Sequence, residues 1–140
     1  MSKIAVVYWS GTGNTQEMAL AVADGAKAKG AKANLFAAAD FDSSMLSGYD
    51  AVAFGCPSMG AEQLEESEFE PMFEECKDKI SDKKVALFGS YGWGDGEWMR
   101  NWEDDCAASG ITLAHESVIC NEAPDSDAIE SCTQLGASLA

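Results

Sequence analysis

The run Lys3-Ile4-Ala5-Val6-Val7-Tyr8-Trp9-Ser10-Gly11-Thr12-Gly13-Asn14-Thr15 joins an apolar stretch to a loop of glycines and hydroxyl side chains, and a helical pattern follows at once. The apolar part reads as a strand over 3–9, too continuous to have one solvated face, which suits a parallel sheet covered on both sides. The helix after it carries Met18, Ala19, Val22, Ala23 and Ala26 on one face. Working outward, further strands are predicted over 51–56, 85–90 and 111–120, with a weaker one over 32–36. A second amphipathic helix carries Trp98, Met99, Trp102 and Cys106, and a last one over 126–139 turns Ile129, Cys132, Gly136 and Leu139 inward. The segment 66–79 predicts a short, very acidic helix beginning near Pro71, an early-turn proline. Five strands alternating with helices imply a doubly wound α/β fold with helices on both faces of a parallel sheet. Such folds bind ligands beyond the carboxyl ends of their strands, near the point where strand order reverses. Repeats, linkers and low-complexity tracts are absent, so residues 1–140 are expected to form a single domain.

Composition narrows the function. Among 140 residues, 24 Asp or Glu oppose 9 Lys or Arg, for a formal charge of −15, while 46% hydrophobic residues argue against disorder. So acidic a chain, with Arg100 as its one arginine, is a poor binder of nucleic acid or of anionic membranes. Its field favours basic partners instead. The apolar run near the N-terminus is too short to span a bilayer and lacks the features of a secretory signal. Five cysteines (Cys56, Cys76, Cys106, Cys120, Cys132) make neither a CxxC pair nor a zinc spacing, so they read as reduced, mostly buried thiols of a cytoplasmic protein. The lone His115 stands mid-strand with no functional role expected.

The loop at 10–15 carries the chemistry. Glycines let successive N–H groups converge, and the helix end adds a partial positive charge. Ser10, Thr12 and Thr15 supply hydroxyls and Asn14 an amide, so a terminal phosphate is one reading. The other is a glycine-rich turn capped by Thr or Asn. No Gly-Lys-Ser/Thr follows, and Gln16 replaces the third glycine of a dinucleotide fingerprint, so neither nucleotide loop applies.

Ser10-Gly11-Thr12-Gly13-Asn14-Thr15 after a Tyr-Trp resembles the FMN phosphate loop of flavodoxins. Three more stretches carry the likeness in register. They are Gly55-Cys56-Pro57-Ser58-Met59-Gly60, Leu64-Glu65-Glu66-Ser67-Glu68-Phe69-Glu70-Pro71, and Ala86 to Gly96 with its Ser90-Tyr91-Gly92-Trp93 core. The whole chain is similar to the short-chain flavodoxins of anaerobic bacteria, which implies strand order 2-1-3-4-5. It also implies noncovalent FMN and one-electron traffic on the semiquinone/hydroquinone couple at low potential.

Read alone, Met59 is either a core anchor or an exposed apolar loop residue, and Trp93 either folds back on the core or is held out by glycines. The resemblance implies that they pack on opposite faces of the flavin ring. It likewise implies that the Gly60–Ala61 peptide meets flavin N5, that Glu62 accepts from N3–H, and that Ser58 lies near the ribityl chain. Ser90 would approach the phosphate, and Asn121 the ring edge near N1 or O2. Alanine at 61 departs from relatives with Asp, Asn or Gly there, so a weaker semiquinone is expected. Glu62, Glu65, Glu66, Asp95 and Glu97 are expected to rim this end and meet basic surfaces of redox enzymes, reductases and oxidoreductases that otherwise use ferredoxin. The carrier itself is expected to be a monomer. The alternative is an FMN-dependent NAD(P)H:quinone or flavin reductase on the same fold, disfavoured because residues 85–140 offer Arg100 alone for dinucleotide phosphates. A receiver domain would need carboxylates where Tyr8-Trp9 and Gly55-Cys56 stand, and a low-molecular-weight phosphatase a Cys and Arg around 10–15.

Overall fold

The computed structural model describes residues 2–59, 63–92 and 94–140. Five parallel strands, β1 (Lys3–Tyr8), β2 (Lys32–Ala37), β3 (Ala51–Gly55), β4 (Lys84–Tyr91) and β5 (Val118–Asn121), form one sheet in the order β2-β1-β3-β4-β5. Four α-helices connect them: α1 (Asn14–Ala28), α2 (Phe69–Lys77), α3 (Glu97–Ala108) and α4 (Ser126–Leu139). Short 3-10 turns at 38–40 and 43–48 lead into β3.

Side-chain alternation along the central strands divides the interior. Ala5, Val7, Val52, Phe54, Val85 and Leu87 face a core filled by Phe69, Met72 and Phe73 of α2 and by Trp98, Met99 and Trp102 of α3. Ile4, Val6, Ala51, Ala53, Ala86 and Phe88 face α1 and α4. The first core is aromatic: Phe54, Phe69, Phe73 and Trp102 meet edge to face at centroid separations of 5.1–6.5 Å, and Phe69 stacks on Phe73. The second is built on close backbone approach. A Cβ placed on Gly136 of α4 would lie 1.9 Å from the Val22 carbonyl oxygen of α1, so no larger residue fits.

Several boundaries differ from the sequence reading, one of them by more than a few residues. The strand expected over 111–120 is interrupted. Leu113 pairs with Val85 in an isolated bridge and regular pairing resumes at Val118 opposite Phe88, so five steps on one chain face three on the other. The extra residues leave the ladder, and Ser117 Oγ ties them to Glu103 of α3 at 2.7 Å. β1 ends at Tyr8, although the Trp9 N–H still donates to the Gly55 carbonyl at 3.0 Å. Helix α2 starts at Phe69 with Pro71 in its first turn, as the proline indicates, and is shorter than 66–79 because residues 65–68 form a local hydrogen-bonded knot. On α4, Cys132, Gly136 and Leu139 are buried as expected; Leu135 is fully buried too, and Ile129 only partly.

Candidate functional site

Strand order reverses between β1 and β3, which opens a crevice at their carboxyl ends. A cavity of about 530 Å³ lies there, lined by Trp9, Gly11, Thr12 and Asn14 after β1, Pro57, Ser58 and Met59 after β3, Ser90, Tyr91 and Gly92 at the end of β4, and Glu122 and Ala123 after β5. That volume is within the usual range for small-molecule sites, roughly 300–1,000 Å³.

The β1 loop is built to leave donors open. Gly13 caps α1 at φ +95°, a left-handed conformation natural to glycine, and has no side chain of its own to cap the helix. Ser10 Oγ accepts from the N–H groups of Gly13 (3.0 Å) and Gln16 (3.4 Å), folding the loop over itself. Among the described residues, the N–H groups of Gly11, Thr12, Asn14 and Thr15 make no hydrogen bond. Thr15 is buried, and its hydroxyl pairs with the buried Ser90 hydroxyl at 3.2 Å, locking the start of α1 to the end of β4.

The other walls are cross-braced. The Ser58 N–H donates to the Ser90 carbonyl at 3.0 Å, while Met59 and Gln63 exchange backbone hydrogen bonds at 2.9 and 3.0 Å. Met59 is half-buried and belongs to neither core, which leaves its side chain to the cavity wall. Tyr91 leans on Trp98 with ring centroids 5.5 Å apart. The Tyr91 carbonyl accepts from the Glu122 N–H (2.7 Å) and Asn121 Nδ2 (3.3 Å), holding Glu122 at φ +58°. A non-glycine residue in that region costs about 1 kcal/mol or more.

Electrostatically, no Lys or Arg is on the wall among the described residues, so the helix end is the positive element there. Arg100 Nη2 pairs instead with Asp95 Oδ1 at 3.0 Å, and both side chains are well exposed. Glu65 is buried. Burial pushes its carboxyl upward, but donation by the Ser67 hydroxyl and by the Phe69, Glu68 and Ser67 N–H groups outweighs this and holds its pKa at about 2.

The sequence profile of the family described as Flavodoxin matches residues 6–136. The flavodoxin of Clostridium beijerinckii is 46% identical over 135 residues, covering 96% of this chain and 97% of that protein. The solution structure of two-electron reduced Megasphaera elsdenii flavodoxin superposes with a TM-score of 0.89 at 41% identity, covering 97% of each chain. A flavodoxin from the domain Archaea follows at a TM-score of 0.76 and 26% identity, over 98% of this chain and 95% of that one. The chain belongs to the flavodoxin family.

Flavodoxins are FMN-binding electron-transfer proteins rather than enzymes, which sets aside the reductase alternative. The donor set of this flavodoxin fits FMN. A terminal phosphate needs N–H groups without competing partners, which Gly11, Thr12, Asn14 and Thr15 supply, and a flat ring system needs apolar walls, which Trp9, Met59 and Tyr91 supply.

Of the residues singled out by sequence, Gly11, Thr12, Asn14, Ser58, Met59, Ser90, Tyr91 and Gly92 meet on the cavity wall. Ser10, Gly13 and Thr15 shape the loop from behind it. Asn121 is off the wall, its amide turned to the Tyr91 carbonyl. Gly60, Ala61, Glu62 and Trp93 lie outside the described residues. Trp9, Pro57, Glu122 and Ala123 were not anticipated on the wall. Trp9 offered a signal, an indole at the last pairing position of a strand that feeds a ligand loop. The expected acidic rim needs one correction: Glu66, Asp95 and Glu97 are exposed, but Glu65 turns inward to accept the amides that start α2. Trp98 and Trp102 are core residues, as read from the helical spacing. The five cysteines form no disulfide among the described residues; burial pushes four thiols up to about 12 and Cys120 to about 11, so all stay protonated at neutral pH.

Proposed function

We propose that this chain is a single-domain, cytoplasmic, monomeric carrier of single electrons at low potential, working between redox enzymes that meet it with basic surfaces. The observation that carries the reading is the cavity at the strand-order reversal, with the open first amides of α1 on its wall and no cation beside it among the described residues. FMN, held noncovalently, supplies the one-electron chemistry.

The chain's own residues do the rest. The N–H groups of Gly11, Thr12, Asn14 and Thr15 and the hydroxyls of Thr12 and Ser90 hold the phosphate through hydrogen bonds and the helix end. Because no lysine shares the load, the loop tolerates a strongly negative protein only by donating several bonds at once. Ser58 serves the ribityl chain, Met59 and Trp93 the two ring faces, and Gly60, Ala61 and Glu62 the N5 and N3 edge; Asn121, its amide on the Tyr91 carbonyl, braces the β5 side of the site instead. The apolar wall of Trp9, Met59 and Tyr91 excludes water from the ring and weakens screening around it.

Charge sets the potential. Glu122 is on the wall, Glu66 is exposed on the segment leading into α2, Glu97 is exposed at the first position of α3, and the whole chain carries −15. Added negative charge at the cofactor is disfavoured in that field, and about 59 mV corresponds to tenfold for a one-electron couple. The same carboxylates steer basic partners into transient, salt-sensitive complexes. No helix of the described residues is long and apolar enough to cross a membrane.

The test is a reductive titration followed by absorbance. A yellow protein that develops a long-wavelength band between its oxidised and fully reduced spectra supports the reading. A protein that takes up no added FMN refutes it. Turnover of NAD(P)H with a quinone would restore the reductase alternative.

A further inference from the structure

The geometry points to Glu65 as a positioning residue that holds two walls of the cofactor cavity in place while touching neither the cavity nor its contents. The inference rests on the reading of that cavity as the FMN site. Glu65 is not part of the lining and is 7% exposed.

Its carboxylate is a convergence point. Oε1 accepts from the Glu68 N–H (2.7 Å) and the Phe69 N–H (2.9 Å), and Oε2 accepts from the Ser67 N–H (2.9 Å) and the Ser67 hydroxyl. Four donors aimed at one side chain require an acceptor-only group. A glutamine would keep the volume but turn an NH₂ toward N–H donors, leaving buried donors unsatisfied.

Two arms leave this knot. In the first, the Glu65 N–H donates to Cys56 Sγ at 3.4 Å. Cys56 is further fixed by its own N–H on the Phe88 carbonyl (3.1 Å) and by Trp98 Nε1 on its carbonyl (3.1 Å). The strip Pro57-Ser58-Met59 therefore departs from an immobilised residue, and the Met59–Gln63 pair sets where the chain returns. In the second arm, Glu65 fixes the backbone of Glu68, whose own Oε1 accepts from Trp9 Nε1 at 3.0 Å. Trp9 and Pro57–Met59 lie on the cavity wall, directly after β1 and β3, which are neighbours in the sheet. Glu65 thus sets the spacing of both, through its N–H toward Cys56 and its carboxylate toward Glu68.

This makes Glu65 more than a cap for α2. A cap contributes stability wherever it is and leaves the ligand alone; a positioning residue changes how tightly the ligand is held and what it costs to reduce it.

The experiment compares wild type, Glu65→Gln and Glu68→Ala, each stripped of FMN and reconstituted. FMN affinity is read from quenching of flavin fluorescence, the two one-electron midpoint potentials from dye-coupled reduction, and apoprotein stability from urea denaturation. Glu65→Gln is expected to weaken FMN binding about tenfold and to move the separation of the two potentials. Glu68→Ala keeps the backbone amides that Glu65 holds and releases only Trp9, so it is expected to weaken binding about threefold. A Glu65→Gln protein that unfolds more easily but keeps wild-type affinity and potentials overturns the proposal. Should Glu65→Gln fail to fold, Glu68→Ala decides: unchanged affinity there also overturns it. A wild-type protein that takes up no FMN removes the functional reading itself, and this inference with it.

Discussion

Helices α1 and α2 each follow a strand of the same sheet, and their first turns are treated in opposite ways. At α2 the Glu65 carboxylate accepts the N–H groups of Glu68 and Phe69, so the helix start is closed by the protein itself. At α1 a glycine in the left-handed conformation stands at the cap; within the helix the Ser10 hydroxyl reaches only the Gln16 N–H, so the amides of Asn14 and Thr15 find no partner among the described residues. Both helix ends carry the same partial charge and the same orphan donors. The difference is who satisfies them. An anion built into the chain makes a rigid corner; an opening for an outside anion makes a binding site.

The largest expected break of this contrast is chemical. Riboflavin lacks the phosphate that the open end of α1 is proposed to hold, so it should bind the apoprotein about a thousandfold more weakly than FMN, several charge-assisted hydrogen bonds being lost together. Parallel fluorescence titrations measure this. Equal affinities would mean that the start of α1 holds no phosphate.

Closing residues act on the fold instead. Glu65→Ala leaves two helix amides and the Ser67 donors without their acceptor, and should cost about 2–3 kcal/mol in urea denaturation. That difference should depend on pH. The folded-state pKa of Glu65 is depressed to about 2 from the model-peptide value of 4.5, so its stabilisation is complete above about 4.5 and is lost as pH falls toward 2. The wild-type and Glu65→Ala stabilities should therefore converge over that window and stay separated above it. A constant offset down to pH 2 would show that the carboxylate charge is not what holds the knot.

Much of this was readable from residue order, because it is local. Apolar runs gave the central strands, helical spacing gave the faces of α1 and α3, and the Ser10–Thr15 loop pointed to the anion site by its glycines and hydroxyls. What stayed hidden depends on partners far along the chain. Glu65 stands among Glu66, Ser67 and Glu68 and looks like one more surface acid; only the packing of Phe69 and Cys56 shows that it faces inward. The break before β5 falls on the polar His115-Glu116-Ser117, inside a stretch whose apolar ends suggest one strand. Trp9 was counted in β1, and its place on the wall emerges only once Glu68, 59 residues away, takes its indole N–H.

The open end of α1 can be perturbed without touching a ligand donor. Gly13→Ala adds a Cβ in empty space, with no heavy atom within 4 Å, but at φ +95°. The strain should cost about 1 kcal/mol of apoprotein stability, and FMN should bind more weakly because the turn that presents the amides is the strained element. A wild-type affinity at reduced stability would separate the cap from the site.

The smallest effect is expected at α4, where Asp125 accepts the Ala128 N–H at 2.8 Å. This is a closed end like that of α2, but it differs in what it braces. Asp125 is exposed, accepts one backbone amide rather than several donors, and is off the cavity wall. Asp125→Ala should cost about 1 kcal/mol in denaturation and leave FMN affinity unchanged. The comparison with Glu65 is then sharp, since both changes remove a carboxylate from a helix start and only one is expected to reach the cofactor. If Asp125→Ala weakened FMN binding as much as Glu65→Gln, loss of affinity would track general stability, and the distinction between capping and positioning would fail.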